Sequence, residues 1–155
     1  MSHLFSLLLF FGCTAAGVGR YLLLRRRELL LGQGVWVLTR WRVLLESQNL
    51  STRRLFSALE QDNQCRGLTF LSALEQGFSA PDPNRFWVEQ LEQFCRNTGQ
   101  DRQCWAGMEL ALSRLGGSGT QQQLALLDKA ACHQTGRQHQ LRAGLLEQKA
   151  NHPPG

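Results

Sequence analysis

The sequence predicts an all-α protein: an N-terminal transmembrane helix followed by a small helical bundle with a long C-terminal helix. Three observations lead there. The run 4–24 is apolar except for Arg20. Beyond it, helix caps and glycine stops recur with no sustained strand-like alternation. The stretch 121–149 keeps a strict three-four rhythm through Leu124, Leu127, Ala131, Gln134, Gln138, Leu141 and Leu145.

The apolar run is 21 residues long. At about 1.5 Å per residue it covers roughly 31 Å, the thickness of a bilayer's hydrocarbon. Arg20 lies one turn from its end, within snorkelling reach of the interface, and Tyr21 suits that interface. Arg25, Arg26 and Arg27 follow, whereas only His3 precedes the run. The positive-inside rule then translocates the N-terminus and keeps the chain after Arg25 in the cytoplasm. A cleavable signal peptide wants its basic residues before the apolar run, not after it. A lipoprotein reading of Cys13 lacks the basic leader and has a poorly suited Phe10 three residues before the cysteine. Gly12 with Ala16, and Ala15 with Gly19, put small residues four apart, a spacing that lets a second helix approach closely.

The expected organisation is therefore an anchor with juxtamembrane arginines over 1–27, a cytoplasmic helical bundle over 28–150 and a frayed tail over 151–155. The spanning helix continues into 35–47 with Trp36, Val37, Trp41, Leu44 and Leu45 as an apolar stripe, though Gly32 and Gly34 weaken that continuity. Ser51 or Thr52 caps a short helix carrying Leu55, Phe56 and Leu59. Another is expected over 66–76, with Leu68, Leu71 and Leu74 inside and Gly77 as a left-handed stop. Asp82-Pro83 is a cap with proline at the first helical position. The helix it opens buries Phe86, Trp87, Leu91 and Phe94 and ends before Gly99. Asp101 caps the next, with Trp105, Met108, Leu112 and Leu115 on one face, and Gly116-Gly117 stops it. Ser118 or Thr120 opens the last and longest helix, whose two central glutamines either weaken its packing or set its register. Ser-Ala-Leu-Glu-Gln occurs at 57–61 and again at 72–76, which in a chain with 16 glutamines is coincidence or a pair of similar helices.

Charge narrows the function. The net charge is +5, which invites a nucleic-acid reading. Eight arginines, however, fall between Arg20 and Arg54 against only Glu28 and Glu46. The basic excess flanks the apolar run, as a patch facing anionic lipid does, and the rest of the chain is close to neutral. The five cysteines are odd in number and form no C-x-x-C pair, so they suggest neither a disulfide framework nor a zinc ribbon. Cys132-His133 with His139 on the last helix, and Cys95 with Cys104 about a turn, fall short of four paired zinc ligands. The glycine-rich stretch 115–120 lacks the lysine and the preceding strand of a phosphate-binding loop. No catalytic, cofactor or metal residues are assigned, no small-molecule substrate or nucleic acid is implied, and the chain does not read as an enzyme.

Several of these features occur together in one known family. They are Gly12-Cys13-Thr14-Ala15-Ala16-Gly17 within the apolar run, the arginine cluster after it, the opening Asn49-Leu50-Ser51, and Leu115-Gly116-Gly117-Ser118 followed by Gln121-Gln122-Gln123-Leu124. In this order, over nearly the whole chain, they resemble stage III sporulation protein AB of endospore-forming bacteria. The resemblance implies a helical domain similar to that of the inner-membrane platform protein of type II secretion. It also implies a place in the mother-cell membrane and a non-enzymatic part in assembling the channel to the forespore. The partners implied are the membrane, other stage III proteins and a secretion-type ATPase. Members of the family typically finish with a second apolar segment, where this chain has the polar stretch 147–155. Outside sporulation, the same features describe a general membrane-anchored helical adaptor or secretion-platform fragment. The surface expected to dock partners lies on the open face of the helices over 84–115, at Glu89, Glu92 and Arg114, and on the first turns of the last helix, away from the juxtamembrane Arg20, Arg25, Arg26 and Arg27 and the basic segment over 25–42.

Overall fold

The computed structural model describes residues 2–48, 50–116 and 119–151. Its first element, α1 (Ser2–Gln48), is one unbroken helix of 47 residues, about 70 Å long at the usual rise. It has two environments along one axis. Every residue from 3 to 20 is exposed. From there burial appears on one face, at Tyr21, Leu24, Glu28 and Leu31, and continues through Val37, Leu38, Trp41, Leu44 and Leu45. The three-four spacing of these positions is that of a helix laid along a neighbour.

That neighbour is α6 (Thr120–Ala150), which runs antiparallel to α1. Arg42 pairs with Asp128, Gly34 lies against Gln134, Gly32 lies against Gln138, and Glu28 meets both Gln138 and Arg142. The residue numbers fall on one helix as they rise on the other. The seam uses the expected rhythm: Leu127 and Gln134 are buried, and Leu124, Ala131, Gln138, Leu141 and Leu145 are half-buried. Gly32 and Gly34 do not weaken α1, contrary to the expectation from their helix propensity. They are where glutamine side chains of α6 lie directly against the α1 backbone. A Cβ at Gly32 would stand 2.7 Å from the Gln138 amide nitrogen, and one at Gly34 would meet the Gln134 amide and come within 2.8 Å of the Trp105 ring. A glycine in a helix costs up to about 1 kcal/mol, and close packing there offsets it.

Between the two long helices the chain folds into shorter ones. Ser51 precedes α2 (Thr52–Glu60) with extended backbone, and the helix buries Leu55, Phe56 and Leu59 as expected. The continuous helix expected over 66–76 does not form. A 3-10 turn at Asn63–Cys65 is held by the Asp62 carboxylate, which accepts from the Gln64 N–H; α3 (Leu71–Leu74) is one turn, and Glu75–Ser79 is 3-10 again. Gly77 is buried and does not take the left-handed conformation. It makes room for Trp87, whose indole N–H donates to the Leu74 carbonyl at 2.7 Å. The short turns bring Leu68, Phe70, Leu71 and Leu74 inward.

In α4 (Pro83–Thr98) both ends follow the sequence: Asp82 caps the Arg85 N–H, and Gly99 is left-handed at φ 66°. Asp101 caps a 3-10 turn at Arg102–Trp105, which leads into α5 (Ala106–Arg114). Gly116 has φ 79° after it. Gly117, Ser118, Asn49 and 152–155 lie outside the described residues, so the cap expected at Ser118 and most of the expected tail do too. α1, and not α6, is the longest helix.

Two aromatic groups fill the core. Phe56 meets Trp41 and Trp87 edge-on at 5.6 and 5.0 Å. Phe94 lies 5.1 Å from Phe70 and 5.3 Å from Trp105. Trp36, placed in the apolar stripe by its spacing, is instead 42% exposed. Its indole N–H donates to Asp62 at 3.1 Å, fastening the surface of α1 to the following loop. Phe86 is half-buried at the rim.

Trp105→Ala should therefore cost about 3–5 kcal/mol in urea unfolding of the full chain in mild detergent, and Trp36→Ala about 1 kcal/mol or less. Gly34→Ala should cost about 1–3 kcal/mol through overpacking. Gly12→Ala, with nothing within 4 Å of the added carbon, should leave the midpoint unchanged.

Candidate functional site

Three surfaces carry the residues that the sequence singles out. The first is the exposed half of α1. Gly12, Ala15, Ala16 and Gly19 share its open surface, and a Cβ added at Gly12 or Gly19 would touch nothing within 4 Å. The surrounding residues are as apolar as the sequence indicates: Leu4, Phe5, Leu8 and Phe10 are each more than 65% exposed. Among the described residues, α1 is the helix long and apolar enough to cross a membrane. Its N-terminal part has a mean hydropathy of 1.7 over 18 residues, none of it buried.

The second surface is the arginine collar. Arg20, Arg25 and Arg26 are exposed, as residues facing anionic groups need to be. Arg27 differs. It is half-buried, and its guanidinium reaches the end of α4 at Gly99. Cationic groups are favoured at a helix C-terminus, where unsatisfied carbonyls concentrate partial negative charge. Arg27 thus joins α1 to α4 as well as belonging to the basic cluster.

The third surface is an open groove between α4 and α5. Its volume is about 610 Å³, and Asp82, Arg85, Glu89, Glu92 and Ser113 are on its lining. The groove brings Glu89 and Glu92 together, while Arg114 is exposed but outside the lining. Their environments differ. Glu89 pairs with Arg85 one turn away, 3.1 Å apart, on an open helix face. Glu92 is half-buried and pairs with Arg102, which also makes two hydrogen bonds to Glu109 at 3.1 and 2.8 Å. Glu92 and Glu109 thereby hold the turn after α4 to α5, a structural task. Asn84 does similar work from the groove floor. Its amide nitrogen donates to the Leu112 and Leu115 carbonyls, both at 2.9 Å, closing the end of α5.

Chemistry beyond ion pairing is sparse on these surfaces. Cys132, His133 and His139 are exposed on α6, and no cluster of three or more His, Cys, Asp or Glu able to hold a metal forms among the described residues. Burial raises the Cys65 and Cys95 thiols to about 11. Cys104, half-buried, is also raised by burial. A thiol held protonated is a poor nucleophile.

The contacts that set the geometry of all three surfaces were missed in the sequence, because their partners are far apart along it. Glu28 and Gln138 are 110 positions apart and bonded at 3.2 Å. The Gln33 side chain accepts from the Gly67 N–H at 3.0 Å. A sequence signal that could have found them is the presence of two glycines in α1 and two glutamines at heptad positions of the last helix, Gln134 and Gln138. Comparison of the chain with family models, with curated proteins and with solved structures finds no match to any of them.

Cys65 and Cys95 should resist maleimide in the folded protein at neutral pH, while Cys132 reacts at once. The unfolded thiols ionise near 9.0 and the folded ones near 11, so the folded state binds more protons between those values. Stability should therefore fall as pH rises from 9 to 11. Replacing both cysteines by alanine should flatten that slope in urea titrations.

Proposed function

We propose that the chain is a non-enzymatic, membrane-anchored assembly component that holds a helical domain rigidly at a membrane. The observation that carries this reading is the unbroken α1. Its apolar half is wholly exposed and its other half packs along one face against the domain, so any tilt of the anchor is a tilt of the domain. A flexible tether would leave the domain free to rotate; a helix through both parts does not. The apolar surface of residues 3–19 is far too extensive to rest in water and calls for lipid. Arg20, Arg25 and Arg26, exposed at its end, orient the domain toward the cytoplasm.

The resemblance to stage III sporulation protein AB supplies the finer reading. The chain is then a mother-cell membrane protein that presents the groove between α4 and α5 to a secretion-type ATPase and channel subunits during endospore formation. Within that groove Glu89 is the better docking residue, because Glu92 is committed to Arg102.

Topology is tested with a membrane-impermeant thiol label. Cys65 and Cys95 are buried and silent on either side of a membrane, so Cys132 is the informative position. It should react only after lysis; reaction in intact cells would overturn the cytoplasmic placement. For the assembly, Glu89→Arg with Arg114→Glu should leave membrane insertion intact and reduce recovery of the ATPase several-fold from a sporulating host. Absence of that ATPase from the wild-type capture would overturn the sporulation reading.

A further inference from the structure

We infer that the last turn of α6 is a second point of membrane contact, lying in the lipid headgroup layer beside Arg20. This rests on the anchoring proposed for α1 and follows from the register of the α1–α6 seam. The pairs Arg42–Asp128, Gly34–Gln134, Gly32–Gln138 and Glu28–Arg142 keep one antiparallel register along the whole seam. Continued at the same rise, it puts Leu145 and Leu146 level with residues 22–24 and Lys149 level with Arg20. Burial supports the continuation. Tyr21 and Leu24 on α1, and Leu145 and Gln148 on α6, are half-buried, each on the face toward the other helix.

The apolar run of α1 extends to Leu24, so its last four residues lie where α6 is already alongside. Whatever solvates Leu22 and Leu23, which are 57% and 45% exposed, also meets Leu146, which is 63% exposed at the same level. Residues 4–19 of α1 cover about 24 Å, most of the hydrocarbon thickness, before Arg20 is reached. Leu22, Leu23 and Leu146 continue that apolar surface from two helices into the headgroup layer. Around them stand Arg20, Arg25, Arg26 and Lys149, all exposed and basic, against one exposed acid, Glu147, so the layer is net positive at the depth of the phosphates. Apolar surface continuous with the anchor and a matching ring of positive charge specify one occupant, an anionic lipid surface. The domain is thereby held at two points and cannot swing about α1.

The test uses the full chain in vesicles of phosphatidylcholine and phosphatidylglycerol, with an environment-sensitive dye on one cysteine at a time. Three positions are compared: Cys13, Cys132 and Ala150→Cys, the last with Cys13 and Cys132 replaced by serine. Acyl-chain spin-labelled lipid should quench the dye at Cys13. Headgroup spin-labelled lipid should quench it at position 150 and neither should quench it at Cys132. Lys149→Gln should lower the docked-to-undocked ratio at position 150 about fivefold, the factor for one basic residue at an anionic surface. Quenching at Cys13 with position 150 behaving like Cys132 would overturn this inference and leave the anchor reading standing. Absence of quenching at Cys13 would overturn both.

Discussion

The antiparallel seam between α1 and α6 is the interaction on which the rest of the structure depends. It is long, running from Arg42 and Asp128 to Glu28 and Arg142, and its centre is polar: Gln134 is fully buried there and Gln138 half-buried. Apolar side chains alone would allow the two helices to slide past one another by a turn. A glutamine facing a glycine fits at one register only, because one turn away it meets a side chain. The Gln138 amide also donates to Glu28, whose carboxylate has Arg142 near it. The seam thus combines modest stability with a defined offset, and that offset sets which part of α1 stands free.

The shorter helices are organised around what the seam leaves open. Trp105 lies against Gly34 and Gln134, so the aromatic group of Phe70, Phe94 and Trp105 closes one side of the seam. Gly107 carries α5 so near α6 that a Cβ would strike the Ala130 carbonyl. Close backbone approach of this kind transmits position well. A groove between α4 and α5 is held at a fixed place relative to the exposed half of α1 because each step to it passes through packed helices.

The mounting role proposed above asks for stiffness between attachment points more than for reactive groups. The chain has the first in α1 and in the ties from Arg27 to the end of α4 and from Trp36 to Asp62. Its buried thiols are protonated, and its groove carboxylates are matched by arginines. The surfaces left with unmatched character are an apolar stem and a basic ring at its base. Both suit lipid, and they adjoin one another.

The sequence by itself determined the helical class, the apolar run, the caps at Asp82 and Asp101, the stop at Gly99 and the inward face of the last helix. Each of these is a local property: a period, a cap, or a residue that takes positive φ without strain. Tertiary structure alone decided the rest. Gly32 and Gly34 read as weak points for a helix in isolation, yet a partner helix about 100 positions away fills the space beside them with the Gln138 and Gln134 side chains. Gly77 carried the mark of a helix stop and became the floor beneath the Trp87 indole, and Trp36 carried the mark of core and became a surface latch. Glu89 and Glu92, three residues apart, look alike in sequence, but only Glu92 is within reach of the Arg102 turn. In each case a short-range rule gave the residue's preference, and a contact distant in sequence, with greater burial behind it, overrode that preference.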